Sequence, residues 1–225
     1  MVQLRDYQIK TLNKLIKYDN SFVFWPRQTG KSTLISAYIE NFVINNSGKD
    51  ILFICDSRRC IKYARNKIID NLYYLVNNIK NSNKISFVNS NILTFFSFDF
   101  DLYYHLNFLK PELVIFDELY ISDSTRDDVK ITEFSYYMKN FNCKSIFISS
   151  RIDTRVIKSL DYRNQYYINI IPTNDKDLHL SENNNDYKII INELSYKPDE
   201  LLDYFDLNYQ RKKKLKKLNK IADGK

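Results

Sequence analysis

The 225-residue sequence holds only three glycines, four prolines, two histidines and three cysteines. Each scarcity excludes something. Cys55, Cys60 and Cys143 are an odd set with no Cys-x-x-Cys spacing, and only His105 and His179 stand beside them. That pattern offers neither a zinc site nor a disulfide framework, and reduced thiols in a cytosolic compartment are the plain expectation. No apolar run approaches the roughly 18 residues of a membrane span. The opening Met-Val-Gln-Leu-Arg-Asp lacks the apolar stretch of a signal peptide, so no membrane partner is expected. With glycine so rare, Gly30 carries unusual weight, because Gly48 and Gly224 fall in a loop and at the tail. Asn, Lys, Ile and Tyr are abundant, as coding bias in an AT-rich genome would make them, so the Lys and Tyr totals weigh little.

What is present suits a globular chain. Hydrophobic residues make up 44% of the sequence and aromatics 15%, ample for one packed core with room for a small appendage. The net charge of +7 is unevenly placed: residues 211–225 hold eight of the 34 basic residues and one of the 27 acidic ones. The rest of the chain is balanced. The basic end, beginning Arg211-Lys212-Lys213-Lys214, is either a polyanion contact, with nucleic acid the first candidate, or a plain solvated terminus.

Apolar periodicity predicts a helix over Leu4–Tyr18 with Leu12, Leu15 and Ile16 on one face, then a strand over Phe22–Trp25. A second helix carries Leu34, Ile35, Tyr38, Ile39, Phe42 and Val43. Ile51–Cys55 reads as a buried strand, and Asp56-Ser57 as the cap of a long helix reaching Ile79, with Ile61, Ala64, Ile68, Leu72, Leu75 and Ile79 on its buried face. Further strands are expected at Ile85–Val88, Ile92–Phe96, Leu113–Phe116, Ser145–Ser149, Tyr166–Ile171 and Tyr187–Asn192. Helices are expected over Phe98–Leu109, in the segment ending at Phe141, and after Pro198. Strands alternating with helices predict an α/β fold with a mainly parallel central sheet, flanked by helices that cover both faces. Ligands of such sheets sit at the carboxyl ends of the strands, where the loop after Trp25, Asp117-Glu118 and Ser149-Ser150 would all fall.

The strand ending at Trp25 runs through Pro26-Arg27-Gln28-Thr29 into Gly30-Lys31-Ser32-Thr33 at the start of a helix. Strand, loop, Gly-Lys-Ser, helix is the setting of a phosphate-binding P-loop. Backbone N–H groups there face the phosphates, Lys31 reaches the β- and γ-phosphates, and the Ser32 hydroxyl ligates Mg²⁺. One feature departs from the usual pattern, since Trp25 stands where the first glycine belongs. Asp117, directly after four apolar residues, has the position of a Walker B carboxylate for Mg²⁺, and Glu118 that of the residue that orients the attacking water. Arg27, inside the loop, is either a guanidinium that stabilises charge on the transferring phosphoryl group or a structural ion-pair partner. Ser149 and Ser150 can sense the γ-phosphate. Arg58-Arg59 are either a nucleic-acid contact or an ordinary solvated helix start.

Together, Leu4-Arg5-Asp6-Tyr7-Gln8 and Pro26-Arg-Gln-Thr-Gly-Lys-Ser-Thr33 resemble the start of the ATPase domain of large terminases, the DNA-packaging motors of tailed phages and herpesviruses. That family's loop commonly lacks the first glycine, which accounts for Trp25. The resemblance implies an in-cis arginine finger at Arg27, adenine contact by Gln8 and Arg5, an acidic motif at Asp117-Glu118, and a coupling motif at Ser149-Ser150. Arg151 stands where that last motif expects proline. It further implies a P-loop NTPase fold of the RecA-like, additional-strand catalytic-Glu type, ATP and Mg²⁺ as cofactors, and double-stranded DNA as partner. A homo-oligomeric ring, a portal, a small terminase subunit and a separate nuclease chain are the other partners it implies. The site of action would be the cytoplasm of the infected host cell, transiently at the procapsid.

Motif resemblance runs from residue 4 to 151, within an expected ATPase domain over residues 1–195, followed by a helical, basic extension over 196–225. The acids after Arg151 are scattered, so no nuclease activity is expected of this chain. It is an ATPase domain alone, a fragment, or one gene of a split terminase. Two alternatives stay open: a superfamily 2 helicase or translocase fragment, and a non-motor nucleotide-binding regulatory or assembly ATPase.

Overall fold

A computed structural model describes residues 2–98, 110–118, 143–150, 166–170, 192–196, 211 and 213–216. In chain order the elements are α1 (Asp6–Lys17), β1 (Asn20–Phe24), α2 (Lys31–Asn45), β2 (Asp50–Cys55), α3 (Arg58–Leu72), β3 (Val76–Asn81), β4 (Lys84–Phe87) and β5 (Ile92–Ser97). They continue with β6 (Leu113–Asp117), β7 (Lys144–Ser149), β8 (Tyr166–Ile170) and β9 (Asn192–Tyr196). The strands form one nine-stranded sheet in the order β3-β4-β5-β2-β6-β7-β1-β8-β9.

The six inner strands, β5-β2-β6-β7-β1-β8, run parallel. Their sequences show why. They are near-continuous apolar runs, buried on both faces, as strands covered on each side must be. Ile51, Phe53 and Cys55 of β2 join Val23, Ile115 and Ile146 in the core that packs against α1, α2 and α3. On the opposite face the alternate residues form an aromatic ladder. Phe22, Phe147 and Phe116 stack across β1, β7 and β6 with centroids 4.4 and 4.5 Å apart. Each such pair contributes about 1 kcal/mol beyond its burial.

At the flanks the sheet turns antiparallel, within the mainly parallel sheet expected. β3 pairs with β4, β4 with β5, and β9 with β8 in that sense. The helix expected to reach Ile79 stops at Leu72, and Val76–Asn81 is strand β3 instead. The buried face of α3 is Ile61, Ala64, Ile68 and Leu72, as read from the sequence, but Ile79 is exposed. Its helical spacing was coincidental; Val76 and Ile79 are β-branched, and the Ser82-Asn83 turn returns the chain into β4. On α1, Leu15 is buried and Leu12 partly so, whereas Ile16 is exposed and the polar Gln8 and Thr11 are buried in its place. Of the late strand expected over Tyr187–Asn192, residues 187–191 lie outside the described residues; β9 begins at Asn192 and runs on to Tyr196, so the two share one residue. The helices expected in 99–109, before Phe141 and directly after Pro198 lie outside the described residues, apart from helical residues 211 and 213–216.

Two capping arrangements fix the ends of the helices. Ser57 accepts a hydrogen bond from the Cys60 amide at the start of α3. At the end of α2, the side-chain amide of Asn91 donates to the carbonyls of Val43 (3.3 Å) and Asn46 (2.8 Å), with Asn89 beside it on the same two carbonyls. These orphan carbonyls would otherwise be unpaired beneath the β4–β5 turn.

Phe147, at the centre of the aromatic ladder, is the sharpest test of this packing. Phe147→Ala is expected to lower the unfolding free energy by about 3–5 kcal/mol and Phe147→Leu by clearly less, read from urea denaturation midpoints.

Candidate active site

The site lies at the carboxyl ends of β1, β7 and β6. Register brings Phe24 opposite Ser149 and Asp117 opposite Ile148. Two backbone bonds carry this alignment past the strand ends: Trp25 N–H donates to the Ser149 carbonyl (3.1 Å) and Glu118 N–H to the Ile148 carbonyl (2.8 Å). One strand, β7, therefore stands between the P-loop strand and the strand of the acidic pair, and its own end delivers Ser149-Ser150 between them.

After β1 the loop closes on itself. The Thr29 hydroxyl donates to the Pro26 carbonyl at 2.7 Å. The Lys31 ammonium then donates to two loop carbonyls, Trp25 at 2.9 Å and Pro26 at 3.1 Å. Its third partner is Glu118, whose Oε1 is 3.2 Å away. Gln28 and Gly30 both take left-handed backbone, at φ 65° and 81°. Gly30 caps α2, whose first turn contains Lys31, Ser32 and Thr33.

Glu118 is held from every side that the described residues offer. Its Oε2 accepts from the Ser150 amide (2.9 Å), the Ser150 hydroxyl (2.8 Å) and the Ser149 hydroxyl (3.2 Å). Burial alone would raise its carboxyl, but the Ser150 amide, the Lys31 charge and the Ser150 hydroxyl together hold it below the ordinary carboxylate range. Its backbone sits at φ 50°, left-handed for a residue that carries a side chain, a conformation that costs of order 1 kcal/mol. Asp117 is treated oppositely: burial first, then the Glu118 charge, push its carboxyl up to about 7, with Lys31 offsetting part of the rise.

The Arg5–Gln8 segment touches the same loop. The Gln8 side chain is 3% exposed. Its oxygen accepts from the Arg5 amide (2.8 Å), and its Nε2 donates to the Gly30 carbonyl (3.1 Å). A Cβ on residue 30 would lie 2.3 Å from that Nε2. The Leu4–Gln8 stretch gives Tyr7 no role of its own, yet its hydroxyl donates to the Thr29 carbonyl at 2.7 Å. Burial raises its phenol, and the nearby Arg5 guanidinium counters the rise. Behind α2, the Ser32 carbonyl accepts from the Ser36 hydroxyl, which accepts from Asn71 of α3. Asn71 sits in no recognisable pattern and Tyr7 has no assigned role within its stretch, so only the fold reveals these two contacts.

Arg27 is exposed at the tip of the loop and makes no ion pair among the described residues. Arg58 and Arg59 are exposed at the start of α3, beyond the end of β2 and away from the P-loop strand. Arg211, Lys213 and Lys214 are exposed in the C-terminal helical residues; Lys212 and Arg151 lie outside the described residues. Ser32 and Asp117 supply hard oxygen donors, one hydroxyl and one carboxylate. No cluster of three or more metal-ligating side chains occurs among the described residues. Such a sparse donor set suits Mg²⁺, which keeps its waters and shares phosphate oxygens, rather than a dedicated protein cage.

No protein-family model and no curated protein matches the sequence. Among solved structures, the large terminase of bacteriophage HK97 is similar over 66% of this chain and 33% of that one, at 16% identity and TM-score 0.47. The large terminase of the thermophilic bacteriophage D6E is similar over 65% and 39%, at 14% identity and TM-score 0.47. The Sulfolobus solfataricus SWI2/SNF2 ATPase core, solved with double-stranded DNA, covers 71% of this chain and 36% of its own, at 14% identity and TM-score 0.51. The chain thus spans between a third and two fifths of the length of these structures. What it shares with the SWI2/SNF2 ATPase core is fold, a mostly parallel α/β sheet flanked by helices.

Proposed function

We propose that this chain is an ATP-hydrolysing motor subunit of terminase type, converting ATP turnover into movement along double-stranded DNA. The observation that carries the hydrolytic part is the meeting of Lys31 with Glu118 at 3.2 Å, beside Ser149 and Ser150. These residues come from three distant stretches of the sequence and converge only because β1, β7 and β6 are neighbours.

The chemistry follows from the charges. The Lys31 ammonium is satisfied by two loop carbonyls and Glu118. Triphosphate oxygens entering beside the Gly30–Thr33 amides would draw Lys31 off Glu118, leaving that carboxylate free to orient and polarise the attacking water. Ser32 and Asp117 would hold Mg²⁺, which when bound would supply charge neutralisation to the phosphates. Arg27, exposed on the same loop, would stabilise the charge on the transferring group. Glu118 also bonds Ser149 and Ser150, so a change in its charge environment is transmitted to the end of β7. That supports a coupling role for the two serines. Arg5 and Gln8, next to the same loop, would sense or contact the base.

The DNA part of the proposal rests on the motif resemblance and on charge. Arg58 and Arg59 occupy the first turn of α3, which has no acidic residue, although helix dipoles disfavour cations there. An anionic partner would remove that penalty. Arg211, Lys212, Lys213 and Lys214 add a second basic segment within the proposed extension over 196–225. A ring of subunits, with portal, small subunit and a separate nuclease chain, at the procapsid in an infected host cell, completes the packaging reading. A second reading, a translocase core of the SWI2/SNF2 kind, is favoured by the fold likeness to that DNA-bound ATPase. The non-motor reading predicts ATP turnover indifferent to DNA.

Glu118→Gln is expected to cut steady-state ATP hydrolysis by about 10²–10⁴-fold while nucleotide still binds. Turnover close to that of the parent would remove Glu118 from the water-orienting role. ATP turnover by the parent is expected to rise with duplex DNA, and a rate blind to DNA would count against either motor. Deleting residues 211–225 is expected to weaken duplex binding and flatten its salt dependence, with the log–log slope changing by about 0.9 for each phosphate that the segment neutralises. Arg58→Ala with Arg59→Ala should do the same on a smaller scale, and an unchanged slope would return those residues to plain solvated charges.

A further inference from the structure

Trp25 occupies the place where most P-loops open with glycine, and it is not loose. Its side chain is 0% exposed and lies edge-on to Tyr7, centroids 5.3 Å apart. The indole N–H donates to Oδ1 of Asn169 on β8 at 2.7 Å, and both atoms are buried. Asn169 is itself oriented, because its Nδ2 donates to the Tyr167 hydroxyl (3.2 Å), and the Tyr167 ring stacks on Tyr18 at 5.0 Å. Asn169 is fully buried in register with Val23 of β1, a costly place for an amide unless both its ends are used.

The backbone of Trp25 makes the other connections. Its N–H reaches the Ser149 carbonyl at 3.1 Å, and its carbonyl accepts from the Lys31 ammonium at 2.9 Å. A shift of the indole therefore moves a carbonyl that holds the P-loop lysine. We propose that Asn169 is a positioning residue for the nucleotide site: by gripping the Trp25 indole it sets the height of the loop, and so the placement of Lys31. This rests on the nucleotide-binding reading above but concerns a residue on β8, which touches neither phosphate nor metal in that reading. It gives Trp25 a task that glycine cannot perform, that of tying the loop to a strand on the far side of β1 from the acidic pair.

The chain has one tryptophan, so its emission reports Trp25 alone. Three variants of the full chain separate positioning from mere stability: Asn169→Leu, Asn169→Asp, and Asn169→Leu combined with Trp25→Phe. Three readouts are taken: tryptophan emission and acrylamide quenching where Trp25 remains, affinity for MgATP by competition with a fluorescent nucleotide, and the urea midpoint. Asn169→Leu should make the indole more quenchable and weaken MgATP binding about tenfold or more. Asn169→Asp, which keeps an oxygen acceptor, should stay near the parent in both. The double variant leaves no indole N–H unpaired, so its urea midpoint should recover towards the parent while MgATP affinity stays low. An affinity unchanged in Asn169→Leu, or one that merely follows the urea midpoint across the variants, overturns the proposal. Should the parent bind no nucleotide, the functional reading fails by itself. Quenching then decides the tether: unchanged accessibility in Asn169→Leu overturns it, and a rise upholds Asn169 as the residue that sets the loop.

Discussion

A single ammonium organises the site. Lys31 leaves the first turn of α2 and turns back over the loop, where its Nζ meets two carbonyls and one carboxylate. Each partner comes from a different constraint. The carbonyls stand where they do only because Trp25 and Pro26 follow the end of β1, and the carboxylate only because β6 lies two places away in the sheet. Desolvation of an ammonium costs several kcal/mol, and a buried lysine needs such partners to offset it. In the proposed function the same partners make the lysine exchangeable: phosphate oxygens would offer better electrostatics than neutral carbonyls, so a bound triphosphate would compete with a contact that is adequate rather than optimal.

Around that ammonium the two carboxylates are set to opposite tasks by their surroundings. Glu118 receives hydrogen bonds from Ser149 and Ser150 and stays ionised, whereas Asp117, one residue earlier, is raised by burial and by its neighbour's charge. Adjacent residues can be so different because the chain leaves the strand between them. Asp117 still has strand geometry and points as its register dictates, while Glu118 turns into left-handed backbone and reaches across the end of β7. The strain of that turn is held by the Glu118 N–H bond to Ile148, which continues the sheet ladder one residue too far for an ordinary strand end. Burial and hydrogen bonding thus push the ionisation of two adjacent acids apart, as happens where paired acids take different roles.

The parts of this arrangement that were legible in the sequence are those in which local pattern and global packing agree. Apolar runs such as Ile51–Cys55 and Leu113–Phe116 can be little other than buried parallel strands, and residues at their carboxyl ends must then gather on one edge. Strand order was not legible, because nothing in a buried strand names its neighbour. The end of α3 was misjudged because Leu72, Leu75 and Ile79 keep helical spacing across a boundary that is set by hairpin pairing, a contact between residues that spacing does not see. Polar residues were the largest blind spot. Asn71, Asn89, Asn91 and Asn169 looked like the by-product of a biased composition, yet each side-chain amide bonds a specific partner, with Asn91 and Asn169 fully buried. An asparagine inside a fold is informative only through what it touches, and sequence gives no view of that.

The same reasoning explains how one glycine suffices in this loop. Two residues, 28 and 30, need left-handed backbone, and only one of them is glycine. Gln28 is exposed, so its Cβ meets no wall and the conformational cost stays near about 1 kcal/mol. At residue 30 a Cβ would stand 2.3 Å from Gln8 Nε2, and Gln8 cannot retreat without breaking its bond to the Arg5 amide that opens α1. Steric pressure from α1, rather than backbone freedom alone, is what keeps Gly30. At residue 25 no left-handed turn and no close approach is required, and the space is filled by an indole that α1 and β8 hold between Tyr7 and Asn169. A P-loop opened by tryptophan is therefore not a weakened version of the glycine form. It is a loop whose conformation is carried by its neighbours, so residues on α1 and β8 share in setting where its lysine lies.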